Sequence, residues 1–352
     1  MGFWVNGRAS LTPQAVTNAG LKPGVNYIVV GKKQDNSIVI NQVLGLGTFT
    51  GYLVPEAAFI APVSRSEIKE IIVKVSPTER FDPWLQYEAN IMIHYLRDLY
   101  PFVPKVLARG DVSVTESASG QSDVSRRAPY FVMPKLPGER LCDIAEKWAM
   151  RIPTREEVGS LIEIFYEECL IMAEVHDAYI IHRDLKPANI LFDQYHGPSI
   201  IDFGSANIKG AKITREDCGS PGFFPPDHAL GLVKSDDVSI DIFGLGAALL
   251  ALISSMRPLM YHPSMPNPWE GSESTETRQD KYCRAVWQYS NKSVKDLIKL
   301  SNIPEEFKST SLARLLFAMV HPRSEMRPQS MLEVAGELRR VSSEFTVHQL
   351  AG

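Results

Sequence analysis

His182-Arg183-Asp184-Leu185-Lys186-Pro187-Ala188-Asn189 is the stretch on which the reading of this chain turns. Ile190-Leu191-Phe192 follows at once, and Ile201-Asp202-Phe203-Gly204 comes a short hairpin later. Ahead of it, Leu161 to His176 repeats apolar residues at helical spacing. Taken singly, Asp184 and Asn189 suit turns, and Asp202 suits a cap. A lone Asp-Phe-Gly is common by chance. The two strings in this order, at this separation and after a helix, are not.

Composition sets the frame around that stretch. With 352 residues, about two domains or lobes are expected. At 44% hydrophobic and 22% charged, the chain can bury a sizeable core, which excludes disorder as a whole-chain description. A formal net charge of −4 argues against nucleic acid or an anionic membrane surface as the main partner. Cys142, Cys169, Cys218 and Cys283 are far apart, with no Cys-x-x-Cys, so neither a disulfide framework nor a zinc site is expected. The start shows no basic segment followed by an apolar one, and Asn6 spoils a myristoylation signal at Gly2. The most apolar run, Ile242 to Ile253, is too short for a membrane span and reads as a buried core helix. These features predict a cytoplasmic protein.

The first half reads as strands. Tyr27 to Gly31 is β-branched and aromatic, and Asp35-Asn36-Ser37 turns it into Ile38-Val39-Ile40. A glycine-bearing turn, Gly45-Leu46-Gly47-Thr48-Phe49-Thr50-Gly51, comes next. Glu70 to Val75 and Tyr130 to Met133 are further strands, and Pro83 to Leu99 has helical periodicity. From about residue 139 the pattern turns helical. The polar runs Thr115 to Arg127 and Pro258 to Thr277 are expected as irregular loops. The fold class expected is α+β: a β-rich N-terminal lobe, a short hinge and a mainly helical C-terminal lobe, with ligand chemistry in the cleft between them.

On the strings His-Arg-Asp-Leu-Lys-Pro-Ala-Asn and Asp-Phe-Gly, the chain resembles the eukaryotic-type (Hanks-type) serine/threonine protein kinase family. The resemblance runs from roughly residue 38 to 340 and implies a bilobal protein-kinase-like fold. It divides the chain into an N-terminal extension (1–35), an N-lobe (36–133), a hinge (134–138), a C-lobe (139–342) and a tail (343–352). It implies transfer of the ATP γ-phosphoryl group to protein Ser/Thr hydroxyls, with Mg²⁺, and autophosphorylation besides. Asp184 would accept the proton of the attacking hydroxyl, and Lys186 would neutralise charge on the transferred group. Asn189 and Asp202 would be the metal ligands, since Mg²⁺ prefers carboxylate and carbonyl oxygens. Lys74, in Ile71-Ile72-Val73-Lys74, would hold the α- and β-phosphates, and Glu88 is its best partner ahead of Glu79 and Glu70.

Around the nucleotide, the resemblance assigns Gly45, Gly47 and Phe49 to the phosphate loop, Met133 to the gatekeeper position and the amide of Leu136 to adenine. This sequence departs from the pattern at Thr50, where the third glycine belongs, at Tyr52, where valine belongs, and at Ile72, where a small alanine is usual. Tyr52 and Ile72 would crowd the adenine ceiling. A pseudokinase scaffold with weak or no nucleotide binding is therefore the alternative, and a small-molecule kinase a third reading. Downstream, Ser220 is expected on Asp184 and Lys186, Asp227 on Arg327, and Asp241 behind the catalytic loop. Activation has two candidate routes: phosphorylation of Thr214, or Glu216 or Asp217 as a permanent acidic partner of Arg183. The first ~35 residues have no counterpart in the family and are open as a docking element for a partner, an extra strand pair on the small lobe or an autoinhibitory arm, and delivery into a host cell as an effector stays open.

Overall fold

Strand-forming residues open the chain, and the structure, a computed structural model, pairs them into one sheet. It describes residues 10–11, 27–34, 37–46, 71–76, 79–116, 124–147, 151–211, 219–254, 278–301 and 303–345. The chain divides into two compact units, Met1–Leu136 and Pro137–Gly352. The first unit is built on strands β1 (Ser10–Leu11), β2 (Tyr27–Gln34), β3 (Ser37–Leu46), β4 (Ile71–Val75), β5 (Ala108–Glu116) and β6 (Val124–Pro134). Their order across the sheet is β1-β5-β6-β4-β2-β3. β2 and β3 run antiparallel down to Gln34↔Ser37, and of the turn expected at Asp35-Asn36-Ser37 the first two residues lie outside the described residues. β2 also pairs with β4, so Tyr27–Gln34 is an interior strand. Two strands of this sheet, β1 and β2, fall within residues 1–35.

Helix α1 (Asp82–His94) starts on Pro83, whose missing N–H costs nothing in a first turn. Its stripe of Leu85, Ala89 and Met92 forms a core with Phe131 and Met133 of β6, and Ile72 packs against it. The helix ends at His94, short of the expected Leu99, and Arg97–Leu99 is a 3₁₀ turn. Pro101 lies just beyond, and a proline discourages helix in the residue before it. The loop expected over Thr115 to Arg127 is also narrower, because β5 and β6 stay paired out to Glu116↔Val124. Backbone pairing needs no apolar side chains, which is why a polar composition concealed it.

The second unit is mainly helical. Helix α2 (Leu141–Lys147) is followed by α3 (Arg155–Asp177), α4 (Pro226–Ala229), α5 (Ser239–Ile253), α6 (Arg278–Trp287), α7 (Val294–Leu300), α8 (Glu305–Lys308), α9 (Ser311–Met319) and α10 (Met331–Ser342). α3 opens with a capping box: Thr154 accepts from the N–H of Glu157, and Glu157 accepts from that of Thr154. Arg151 adds an ion pair, and its hydrogen bonds hold the Glu157 carboxyl down to about 2. Every residue of α5 is buried, as its apolar sequence requires. Short ladders carry the polar strings between the helices. β7 (Glu139–Arg140), β9 (Ile190–Asp193) and β10 (Gly197–Ile200) form one, and β8 (Ile180–Ile181) pairs with β11 (Asn207–Ile208).

Candidate active site

Asp184 sits between two of these ladders, 9% exposed. Its Oδ2 accepts from Lys186 Nζ at 2.7 Å and Asn189 Nδ2 at 3.2 Å, and its Oδ1 accepts from Ser220 Oγ at 2.7 Å. Lys186 Nζ also donates to Ser220 Oγ at 2.6 Å. Asn189 Nδ2 donates besides to the Asp184 carbonyl at 2.8 Å, which closes the loop on itself. The result is a carboxylate fixed by an ammonium, an amide and a hydroxyl, with an orientation that charge-assisted hydrogen bonds make stiff.

Asp241, in the first turn of α5, holds this loop from behind. It accepts from the backbone N–H groups of His182 (2.8 Å) and Arg183 (2.7 Å) and from His176 Nε2 (2.9 Å). Burial pushes its carboxyl up, but the hydrogen bonds and the facing histidines outweigh that and hold it below its usual range. This anchoring offsets strain: Arg183 has φ 67°, an unfavourable conformation for a non-glycine residue. Gly244, one turn further along α5, permits the close approach, since a Cβ there would stand 3.1 Å from the Leu185 carbonyl oxygen.

His182 links the two strings. Its Nδ1 accepts from the Asp184 N–H at 3.2 Å, so its proton is on Nε2, which donates to the Ile201 carbonyl at 3.1 Å. The Ile201 N–H donates to the Asn189 carbonyl at 3.0 Å, which brings Asp202 to the Asn189 end of the loop. Asp202 itself has φ 67°, and the buried Phe203 ring meets His182 edge-on at 4.7 Å. Among the described residues the hydrogen bonds of the Asn189 side chain use its nitrogen, leaving its carbonyl oxygen for a cation. Asn189 and Asp202 thus fit the oxygen chemistry of Mg²⁺, which takes one or two protein ligands and fills its shell with water and phosphate. No cluster of three or more His, Cys, Asp or Glu able to hold a metal occurs among the described residues.

In the first unit, Lys74 Nζ lies 2.7 Å from Glu88 Oε1, and both side chains are 2% exposed. Lys74 stands opposite Phe131 in the sheet interior, and Glu88 belongs to the buried stripe of α1. Of the three candidate glutamates, the geometry pairs Glu88; Glu79 is exposed, and Glu70 lies outside the described residues. Met133 is buried in the core under α1, opposite Ile72, and Leu136 is buried at the end of the unit. Ile72 therefore has a packing role against that core. Gly45 is the penultimate residue of β3, opposite Ile28, whereas Gly47, Phe49, Thr50 and Tyr52 lie outside the described residues, as do Thr214, Glu216, Asp217 and Cys218.

The expected downstream pair is also present. Arg327 Nη2 donates to Asp227 Oδ1 at 2.8 Å, and the same guanidinium reaches the carbonyls of Ser239, His321 and Pro322. The family model described as protein kinase domain matches residues 110–335. This chain belongs to the protein kinase family. Among its relatives, a probable serine/threonine-protein kinase of Dictyostelium discoideum is 34% identical over 54% of this chain and 13% of its own length. The probable serine/threonine-protein kinase PknB of Corynebacterium glutamicum is 31% identical over 37% of this chain and 20% of its own. The serine/threonine-protein kinase PknB of Mycobacterium tuberculosis is 29% identical over 44% of this chain and 24% of its own. The match thus spans less than a quarter of these relatives' length. As a protein kinase, the chain has the α+β build that its sequence suggests, a β-rich first unit and a mainly helical second one.

Sequence reading missed three contributors to this site. His176 braces Asp241, and its signal was only its place at the end of the amphipathic helix. His182 acts as a two-sided bridge, and Gly244 acts as a spacer inside an otherwise apolar run. Among the described residues no helix is long and apolar enough to cross a membrane.

Proposed function

We propose that this protein is a serine/threonine protein kinase that transfers the γ-phosphoryl group of ATP to protein hydroxyls. The observation that carries this reading is the Asp184 carboxylate, held at once by Lys186, Asn189 and Ser220. A carboxylate so fixed accepts the proton of an incoming hydroxyl and keeps that hydroxyl aligned for attack. Lys186, already at Asp184, compensates the charge that develops on the transferred group. Lys74, kept in place by Glu88, binds the α- and β-phosphates. Asn189 and Asp202 would hold Mg²⁺, which when bound neutralises phosphate charge. Gly45, Gly47 and Phe49 are assigned to the phosphate loop, and Met133 and Leu136 to the adenine side.

The units Met1–Leu136 and Pro137–Gly352 support reading residues 134–138 as the hinge. We place the protein in the cytoplasm with Ser/Thr-bearing proteins as its substrates. A scaffold without transfer activity has less support, because the side chains whose loss would define it are present and paired. The test is incubation of the purified chain with Mg-ATP and a generic basic protein, beside Asp184→Ala and Lys74→Ala. Phosphoserine or phosphothreonine that disappears in both variants is the expected result. Equal incorporation by all three proteins would overturn the assignment.

A further inference from the structure

His228, in the short helix α4, is a half-buried histidine that the transfer chemistry does not use. Its Nδ1 donates to the Val233 carbonyl at 3.2 Å, which ties the helix to the loop after it. Its Nε2 is buried and has no hydrogen-bond partner among the described residues. The neutral ring therefore carries its proton on Nδ1, and the bare nitrogen stays inside the protein. The imidazole packs on the Phe224 ring, with centroids 4.7 Å apart and planes inclined by 36°. Phe224 is buried and lies in turn against Gly219, where a Cβ would overlap its ring and φ is 103°. Gly219 leads directly into Ser220, whose Oγ donates to Asp184 Oδ1 at 2.7 Å and accepts from Lys186 Nζ at 2.6 Å. The Ser220 carbonyl accepts the Phe223 N–H at 3.0 Å, so residues 220–223 form one turn. A line of packed groups thus runs from His228 through Phe224 and Gly219 to the Asp184 carboxylate.

Two charged groups act on the His228 ring among the described residues. Arg183, from the loop of Asp184, disfavours a second positive charge there, and Asp227, beside His228 in α4, favours one but is paired with Arg327. Burial first, and Arg183 next, hold the imidazole below its ordinary 6.5 against the weaker pull of Asp227. A proton added at Nε2 would create a buried donor without an acceptor, within reach of a guanidinium. We propose that His228 is a positioning residue for the turn that carries Ser220: its neutral ring props Phe224, and protonation at Nε2 withdraws Ser220 from Asp184. Acid then switches transfer off. The neutral ring is present above the ordinary 6.5 and is lost as pH falls through the lower folded value. The effect on transfer rests on Asp184 as the base, but the turn can be followed without it.

The test compares the full chain with His228→Asn, which keeps an N–H for Val233 but cannot titrate, and with His228→Leu, which keeps neither. In the wild type, kcat for a generic basic protein at saturating Mg-ATP is followed from about pH 8 down to about pH 5, and should fall towards about tenfold per pH unit once the ring titrates. In both variants this acid limb is expected to move to lower pH, and at about pH 8 His228→Asn should recover most of the rate that His228→Leu loses. Should His228→Leu unfold, the Asn comparison stands. Without substrate, protection of the Phe223 N–H against hydrogen exchange is expected to drop on acidification in the wild type and to hold in His228→Asn. ¹⁵N-histidine spectra, with the His228 signal identified by the Asn variant, should show the proton on Nδ1 and a midpoint below 6.5. A neutral ring protonated on Nε2, the same acid limb in wild type and His228→Asn, or equal loss of Phe223 protection in both would each overturn the proposal. A chain that transfers nothing at any pH, while Phe223 protection still follows His228, would uphold the positioning of the turn and overturn instead the reading of Asp184 as the base.

Discussion

At the residue scale, the site depends on groups that act through one another. Asp184 has three side-chain donors, so replacing the carboxylate removes the acceptor around which the other three are arranged. Asp184→Asn is expected to lower the transfer rate by about 10²- to 10⁴-fold, the range for loss of a general base. Nucleotide affinity, followed by thermal shift, should barely change. Lys74 and Glu88 behave differently because both are buried. Removing either partner leaves a charge out of water, at a cost of about 3–5 kcal/mol to the first unit. Lys74→Ala should therefore lose both nucleotide binding and stability, whereas the double variant Lys74→Met/Glu88→Leu should regain much of the stability and none of the transfer. A melt of the double variant as low as that of the single one would show that burial of the lone charge is not the cause.

Two helices show, at the scale of an element, what could be read in advance and what could not. Glu88 falls on the apolar stripe Leu85, Ala89, Met92, so a buried carboxylate was legible there, and Lys74 meets it. Glu168 falls on the stripe of α3 in the same way, among Leu161, Phe165, Met172 and Val175, yet neither of its oxygens has a hydrogen-bond partner among the described residues. Periodicity tells which face is buried; it does not tell which buried acid finds a donor, because the donor comes from another element. The same limit hid His176 and the role of Gly244, both of which act on a loop distant in sequence. The catalytic strings were legible because their groups are local to one loop, and the capping box before α3 was written within four residues. Thr154→Ala should destabilise the second unit by about 1 kcal/mol, read as a lower urea midpoint at unchanged slope. Gly244→Ala should cost more activity than stability. Its Cβ would press on the carbonyl of Leu185, next to Asp184, so kcat should fall while α5, apolar throughout, stays folded.

For the whole molecule, the buried acids give stability a pH dependence whose direction follows from their environments. Asp241 is held below its ordinary value, so its contribution is present at neutral pH and is lost as acid protonates it. Glu168 is the opposite case. Full burial, with Glu167 beside it, raises its carboxyl well above the ordinary 4.5, so the folded protein keeps a proton that the unfolded chain releases. In the window above 4.5 and below the folded value, the unfolded state binds fewer protons, and stability falls by about 1.4 kcal/mol per pH unit. The urea midpoint is thus expected to decline as pH rises above the ordinary glutamate value, where most surface carboxylates are already ionised and contribute no slope. Glu168→Leu removes the titrating group and fills its place with apolar volume. It should flatten that decline and raise stability, by about 1–3 kcal/mol even before titration counts, the cost of a buried polar group without a partner. A midpoint that declines equally in Glu168→Leu would mean that some other group carries the proton, and the burial of Glu168 would then have to be accounted for without titration.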